Sequence, residues 1–258
     1  MALFGVVGFP LRHSLSYRIN SAVLRDFGDL YVPFEVPPER FHRAVDGLLA
    51  LVDGFNVTIP YKVVVMLHLS RISEDARSIG AVNVVRTEGG KGVGYNTDYL
   101  AIVNLMKGLR CDRALIFGAG GAARASAYAM VKLGCSEILI YNRTQSRAIS
   151  LSNQIERWGA RSRVVTAPED ADVFINATPL GMYEDDAELI RFYRGARFRT
   201  VLDLAYRLEG TSLSRIAGSS YISGIDVLIE QAALSIEIWK GFKVERERMR
   251  SALYEGQS

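Results

Sequence analysis

The run Gly118-Ala119-Gly120-Gly121-Ala122-Ala123 narrows the choice of fold more than any other part of the chain. It follows the apolar stretch Ala114-Leu115-Ile116-Phe117 directly and opens a helical pattern that lasts to Leu133. Strand, glycine-rich turn and helix in that order are the context of the G-x-G-x-x-G/A dinucleotide fingerprint. Gly118 permits the tight turn and Gly120 lets the backbone approach a pyrophosphate. Gly121 and Ala122 open a helix whose N-terminal N–H groups face an anion, and Ala123 is small enough for close helix packing. A glycine-rich turn without a ligand is the alternative, and the offsets of these small residues between a strand and a helix argue against it.

The same alternation continues on both sides of the loop. Beyond Asp98 the periodicity predicts a helix to about residue 109, a strand at 113–117, a helix at 121–133, a strand at 138–141 and a helix at 145–158. Further strands are expected at 163–166, 173–176 and 200–204, which together make a parallel sheet with right-handed crossovers. The first hundred residues read as mixed α/β: strands at 2–8, 30–35 and 55–58, helices at 15–27 and after Pro37-Pro38, a short helix at 59–69, and a hairpin joining 81–86 to 92–96. A long helix is expected at 227–252. The chain is therefore expected to be α/β, with an N-terminal mixed α/β substrate domain and a Rossmann-like parallel-sheet domain, a cleft lying between them. Residues 1–99 and 225–258 are assigned to the first, and 100–224 to the second.

Composition excludes several classes. The 258 residues carry 31 Lys and Arg against 28 Asp and Glu, a net charge of +3, which does not mark a nucleic-acid binder. No segment approaches the ~18 apolar residues of a membrane helix, and the apolar start lacks a basic leader. Cys111 and Cys135 stand 24 residues apart without Cys-x-x-Cys spacing, so neither a disulfide scaffold nor a zinc site is expected, and a reducing cytoplasm fits. The three histidines, His13, His42 and His68, are scattered and read as surface or packing residues, so no metal is expected.

Asn142-Arg143-Thr144 ends the strand after the glycine loop, where NAD-preferring sheets usually place an acidic residue for the ribose 2′-hydroxyl. Arg143, flanked by Asn142 and Thr144 and followed by Arg147, suits a 2′-phosphate instead, so the cofactor expected is NADP. Solvated helix-face arginines are the bland reading of Arg143 and Arg147.

Eight ordered segments then resemble the shikimate dehydrogenase family from end to end. They are His13-Ser14-Leu15-Ser16, Asn56-Val57-Thr58-Ile59-Pro60-Tyr61-Lys62, Ile79-Gly80-Ala81-Val82-Asn83, Asn96-Thr97-Asp98, the glycine loop, Asn142-Arg143-Thr144, Asn176-Ala177-Thr178-Pro179-Leu180-Gly181-Met182 and Glu230-Gln231-Ala232. The resemblance implies NADPH-dependent reduction of 3-dehydroshikimate to shikimate in aromatic amino-acid precursor biosynthesis. It also implies a catalytic pair, Lys62 and Asp98, and a substrate set of Ser14, Ser16, Thr58, Asn83, Tyr206 and Gln231. Thr178, Met182 and Gly224 join the cofactor residues on the same ground. A monomer or homodimer in the cytoplasm, with a small-molecule substrate as its only partner, is the expected state.

Chemistry supports the assignment independently. Hydride transfer at a secondary alcohol needs one group to exchange the hydroxyl proton and another to orient it. Asp98 at a helix start is favoured in its ionised form and can orient the Lys62 ammonium. Read alone, Lys62 is a solvated lysine, Asp98 a helix cap and Ser16 an N-cap. Tyr17, Ile19, Arg207 and Leu228 depart from the family pattern. They leave quinate or a related compound open as substrate, and a non-catalytic dinucleotide sensor as a further alternative.

Overall fold

The computed structural model describes residues 1–11, 15–182, 186–217 and 220–255. The chain divides into two compact units, Met1–Thr97 with Leu228–Ser258, and Asp98–Val227.

In the first unit the chain runs β1 (Leu3–Gly8), α1 (Ser16–Asp26), β2 (Leu30–Glu35), α2 (Phe41–Leu51), β3 (Gly54–Val57), β4 (Arg71–Ile72), α3 (Glu74–Ile79), β5 (Val84–Glu88) and β6 (Lys91–Tyr95). The sheet order is β2-β1-β3-β5-β6-β4. Strands β1, β2 and β3 are parallel, while β5 runs antiparallel to both β3 and β6. Apolar spacing explains the helices: α2 buries Phe41, Val45, Leu48 and Leu49, one stripe at helical period, against Val7, Phe55 and Val57 of the sheet.

The second unit contains α4 (Thr97–Leu105, from its second residue onward), β7 (Arg113–Phe117), α5 (Gly121–Lys132), β8 (Glu137–Tyr141), α6 (Gln145–Arg157), β9 (Arg161–Val164), β10 (Ala171–Asn176), α7 (Ala187–Arg194), β11 (Phe198–Asp203), α8 (Ser212–Ile216) and β12 (Tyr221–Ser223). All of its strand pairs are parallel, in the order β12-β11-β10-β7-β8-β9. From β7 the chain lays down β8 and β9 on one side and β10, β11 and β12 on the other, the doubly wound order whose switch point lies between β7 and β10. Leu115, Leu139, Phe174 and Val201 from four adjacent strands form one buried core with Leu189 and Phe192 of α7.

Helix α9 (Gly224–Lys240) and helix α10 (Arg246–Tyr254) complete the chain. Within the first unit Trp239 stacks on Phe4 at 4.8 Å, and its indole N–H donates to the Val85 carbonyl at 2.9 Å. Lys240 Nζ reaches Asp29 Oδ2 at 2.5 Å. Arg246 spans Glu230 and Glu237.

Several expectations need correction. The single helix over 227–252 is two helices, because the chain turns at Gly241 with φ +79°, a conformation that ends a helix. The helix expected over 59–69 is reduced to a 3₁₀ turn at Val64–His68. Ile59 precedes Pro60 and is thereby disfavoured in the α region. The strand expected at 163–166 is β9, two residues earlier, with Arg161 in register with Glu137. The helix expected to reach 109 stops at Leu105.

The cysteines are the clearest miss: Cys111 and Cys135 form a disulfide. Arg113 and Glu137 are register partners across β7 and β8, so the residues two positions before each are brought together as well, with Cα atoms 4.9 Å apart. The 24-residue spacing is that of one βαβ crossover. The argument from free thiols to a reducing compartment therefore falls. His42 and His68 are not scattered in space either, since His42 Nδ1 lies 2.8 Å from His68 Nε2 and His68 Nδ1 lies 2.8 Å from Asp46; His13 lies outside the described residues.

Candidate active site

At the switch point of the second sheet, Gly118 leaves β7 with φ +124°, and a Cβ there would stand 3.0 Å from the Ala177 carbonyl oxygen. The backbone of the glycine loop and the segment after β10 thus approach each other as only glycine allows. Gly120 is the N-cap of α5 without a side-chain cap, Gly121 and Ala122 form its first turn, and Ala123 is fully buried. A Cβ at Gly120 or Gly121 would meet no atom within 4 Å, so the space beside this helix start is open.

One strand over, Asn142 Nδ2 donates to the Thr144 carbonyl at 2.8 Å, and Thr144 occupies the N-cap position of α6 without a side-chain capping bond. Arg143 and Arg147 are exposed, and neither has an ion-pair partner among the described residues. On the other side, a polar knot holds the segment that carries Thr178 and Met182. Asn176 Oδ1 accepts from the Thr178 hydroxyl at 2.7 Å and from its backbone N–H at 3.1 Å, while Asn176 Nδ2 donates to Asp203 Oδ1 at 2.8 Å and to the Leu180 carbonyl at 3.1 Å. Asp203 also accepts from Thr211 and Tyr221, and burial raises its carboxyl pKa against the pull of these donors. Met182 follows the turn at Gly181 and is half-buried. Gly224 opens α9, where a Cβ would come within 2.7–2.9 Å of the carbonyls of Asp203, Leu204 and Ala205. Half-buried Tyr206 follows those residues.

In the first unit, β3 runs into Thr58, whose N–H donates to the Val7 carbonyl at 2.9 Å. Tyr61 stacks on Phe41 with ring centroids 3.9 Å apart, and its hydroxyl donates to the Val36 carbonyl. The carbonyl of Lys62 accepts the Val82 N–H at 2.7 Å, so the backbone on both sides of this lysine is held while its side chain is half-buried. Ser16 is the first residue of α1, and Leu15 occupies the cap position; the N-cap reading of Ser16 does not hold. Ser14 lies outside the described residues.

Asn83 and Gln231 are brought together. Asn83 Nδ2 lies 3.5 Å from Gln231 Oε1 and 3.0 Å from Thr97 Oγ1, and Asn83 Oδ1 accepts the Thr97 N–H at 2.7 Å. Thr97 opens α4, so Asp98 stands in the first turn of that helix. Lys62, Ser16, Thr58, Asn83 and Gln231 belong to the first unit, and Asp98, Tyr206 and the cofactor residues to the second.

Three family models match along the chain. The shikimate dehydrogenase substrate binding domain covers residues 6–85, shikimate / quinate 5-dehydrogenase covers 101–189, and the shikimate 5′-dehydrogenase C-terminal domain covers 224–254. The NADP(+) shikimate dehydrogenase of Sulfolobus acidocaldarius is 38% identical, over 98% of this chain and 94% of its own. The chain belongs to the shikimate dehydrogenase family. Among solved structures, the Aquifex aeolicus shikimate dehydrogenase superposes with a TM-score of 0.88 at 33% identity, covering 99% of this chain and 98% of its own. The Thermus thermophilus enzyme, solved in complex with NADP(H) and shikimate, superposes at 0.85 with 29% identity, covering 98% and 99%.

Some residues around the shikimate dehydrogenase motifs carried no signal in the sequence. Tyr31 and Ser235 are buried and polar, yet each sits in a strand or helix pattern that reads as packing. Thr97 was visible only as the middle of Asn96-Thr97-Asp98. A groove of about 750 Å³ lies at the other, N-terminal ends of the second unit's strands, lined by Arg113, Glu137, Asp170 and Arg197. Those groups are committed to one another in ion pairs. In a doubly wound sheet ligands take the carboxyl ends of the strands, so this groove is not the cofactor site.

Proposed function

We propose that this chain catalyses the reversible reduction of 3-dehydroshikimate to shikimate with NADPH. The observation that carries the reading is the end-to-end likeness to NADP(+) shikimate dehydrogenases, at 38% identity for the Sulfolobus enzyme. The motif residues that make up the likeness sit on two units of the kind the reaction needs: one rich in buried amides, the other built for a dinucleotide.

The donor set suits NADP. The open helix start at Gly120-Gly121 takes the pyrophosphate, and Arg143 with Asn142, Thr144 and Arg147 takes the 2′-phosphate, since two exposed guanidiniums without carboxylate partners are free to pair with it. Thr178, Met182 and Gly224 line the rest of its path. When bound, the nicotinamide supplies or accepts the hydride.

The protein's own residues handle the proton. Lys62 exchanges it with the substrate oxygen, and Asp98, in the first turn of α4, orients the ammonium. Ser14 and Ser16 hold the carboxylate. Tyr206 adds a phenolic donor, Thr58, Asn83 and Gln231 bond the ring hydroxyls, and a ring lacking them is rejected because these groups would be left unpaired.

Among the described residues no helix is long and apolar enough to cross a membrane. A cytoplasmic site of action is part of the reading. Purified protein mixed with shikimate and NADP should reduce the nicotinamide, faster than with quinate or with NAD. Absence of turnover with shikimate at any pH from 6 to 10 would reject the reading.

A further inference from the structure

Behind Asn83 and Gln231 lies a chain of buried polar groups in which the amide and carbonyl partners set the direction of most bonds. The Tyr31 hydroxyl donates to Asn56 Oδ1 at 2.8 Å, which turns Asn56 Nδ2 toward Ser235 Oγ at 2.9 Å and the Asn83 carbonyl at 3.3 Å. Ser235, having accepted from Asn56, donates to the Gln231 main-chain carbonyl at 2.8 Å. That same carbonyl takes the Thr97 hydroxyl at 3.1 Å, and Thr97 Oγ1 in turn accepts from Asn83 Nδ2 at 3.0 Å. Asn83 cannot flip, because its Oδ1 already holds the Thr97 N–H at 2.7 Å. Ser235 and Thr97 are 0% and 1% exposed, so water does not compete for these bonds.

We propose that Ser235 is a positioning residue for substrate. Its hydroxyl joins α9 to β3 and shares the Gln231 main-chain carbonyl with Thr97; Thr97 in turn orients the Asn83 carboxamide, whose Nδ2 meets Gln231 Oε1 at 3.5 Å, while Gln231 Nε2 donates to the Leu228 carbonyl at 2.9 Å, so that both carboxamides are presented in one orientation to a polyhydroxylated ring. The identity of that ring rests on the function proposed above; the ordering of the amides does not. The arrangement accounts for the polar residues buried here, which a packed apolar core would otherwise exclude.

Variants at Ser235, Tyr31 and Thr97, with a core control, test this by steady-state kinetics. Ser235→Ala and Tyr31→Phe should each raise KM for shikimate about tenfold, the size of one lost buried hydrogen bond. In both, kcat and the NADP dissociation constant should stay within about twofold. Thr97→Val should raise KM similarly, and Thr97→Ser should return it toward wild type. Val45→Ala, a core truncation on α2, controls for lost stability: at matched melting temperature it should not move KM. In parallel, the side-chain amide protons of Asn83 and Asn56, read by NMR, should be slow to exchange in the wild type and fast in Ser235→Ala. An unchanged KM in Ser235→Ala, or unchanged amide exchange, overturns the proposal. If the wild type fails to turn over shikimate, the functional reading falls, and the exchange measurement still decides the positioning role.

Discussion

Gly118 and Ala177 meet across the switch point of the parallel sheet, with no room for a Cβ between the glycine and the Ala177 carbonyl. The contact ties the loop after β7 to the turn after β10, the two segments that flank the dinucleotide crevice. Gly118→Ala combines that clash with a φ of +124°, so it should cost about 1–3 kcal/mol of stability. It should also weaken NADP binding at least tenfold. Denaturant titration and calorimetric cofactor binding check the two effects separately.

Arg143 has the opposite character: it is exposed and contributes little to folding. Arg143→Ala should weaken NADP by about 10–100-fold, the worth of a charge-assisted bond to phosphate, and leave NAD binding within about threefold. The ratio of kcat/KM with the two cofactors is the readout. Equal losses for NADP and NAD would mean that the guanidinium does not meet the 2′-phosphate.

How much was legible in the sequence follows from how local each signal is. The Gly118–Ala123 loop and the strands beside it were readable because turn, strand and helix cap are encoded within a dozen neighbouring residues. The break at Gly241 was missed because Met249, Ala252 and Leu253 keep a narrow apolar face within the charged stretch that follows it, and the Cys111–Cys135 bond depends on strand register, which spacing rules for short motifs do not contain. The same limit hid Ser235, which meets Asn56 only because α9 packs against a strand 179 residues away in sequence. Lys62 and Asp98 could be named from motif likeness, but the bonds that hold the backbone around them became visible only with the fold.

The disulfide should stabilise the second unit. Closing a 24-residue crossover corresponds to about 3 kcal/mol in the chain-entropy picture. Cys111→Ser, or reduction of the wild type, should therefore lower the melting temperature by several degrees while leaving turnover at room temperature unchanged. Scanning calorimetry with and without reductant measures it.

Asp29 gives the first unit a pH dependence. Burial opposes its ionisation, but the bonds from Lys240 and the Ala2 N–H outweigh burial and hold its pKa below the ordinary value. A carboxyl with a lowered folded pKa contributes stability that is complete above its unfolded pKa, near 3.8, and that is lost as pH falls through the folded value. Asp29→Asn should cost about 2 kcal/mol at pH 7, and the gap between variant and wild type should narrow below about pH 4. A gap that stays constant down to pH 2 would assign the loss to packing instead.

The decisive measurement is single-variant kinetics on Lys62. Lys62→Ala should lower kcat for shikimate oxidation by about 10²–10⁴-fold while NADP affinity stays within about twofold, as expected for loss of the group that exchanges the substrate proton. A Lys62→Ala protein that turns over at the wild-type rate, or that loses cofactor binding instead, would contradict the role given to this lysine and the mechanism built on it.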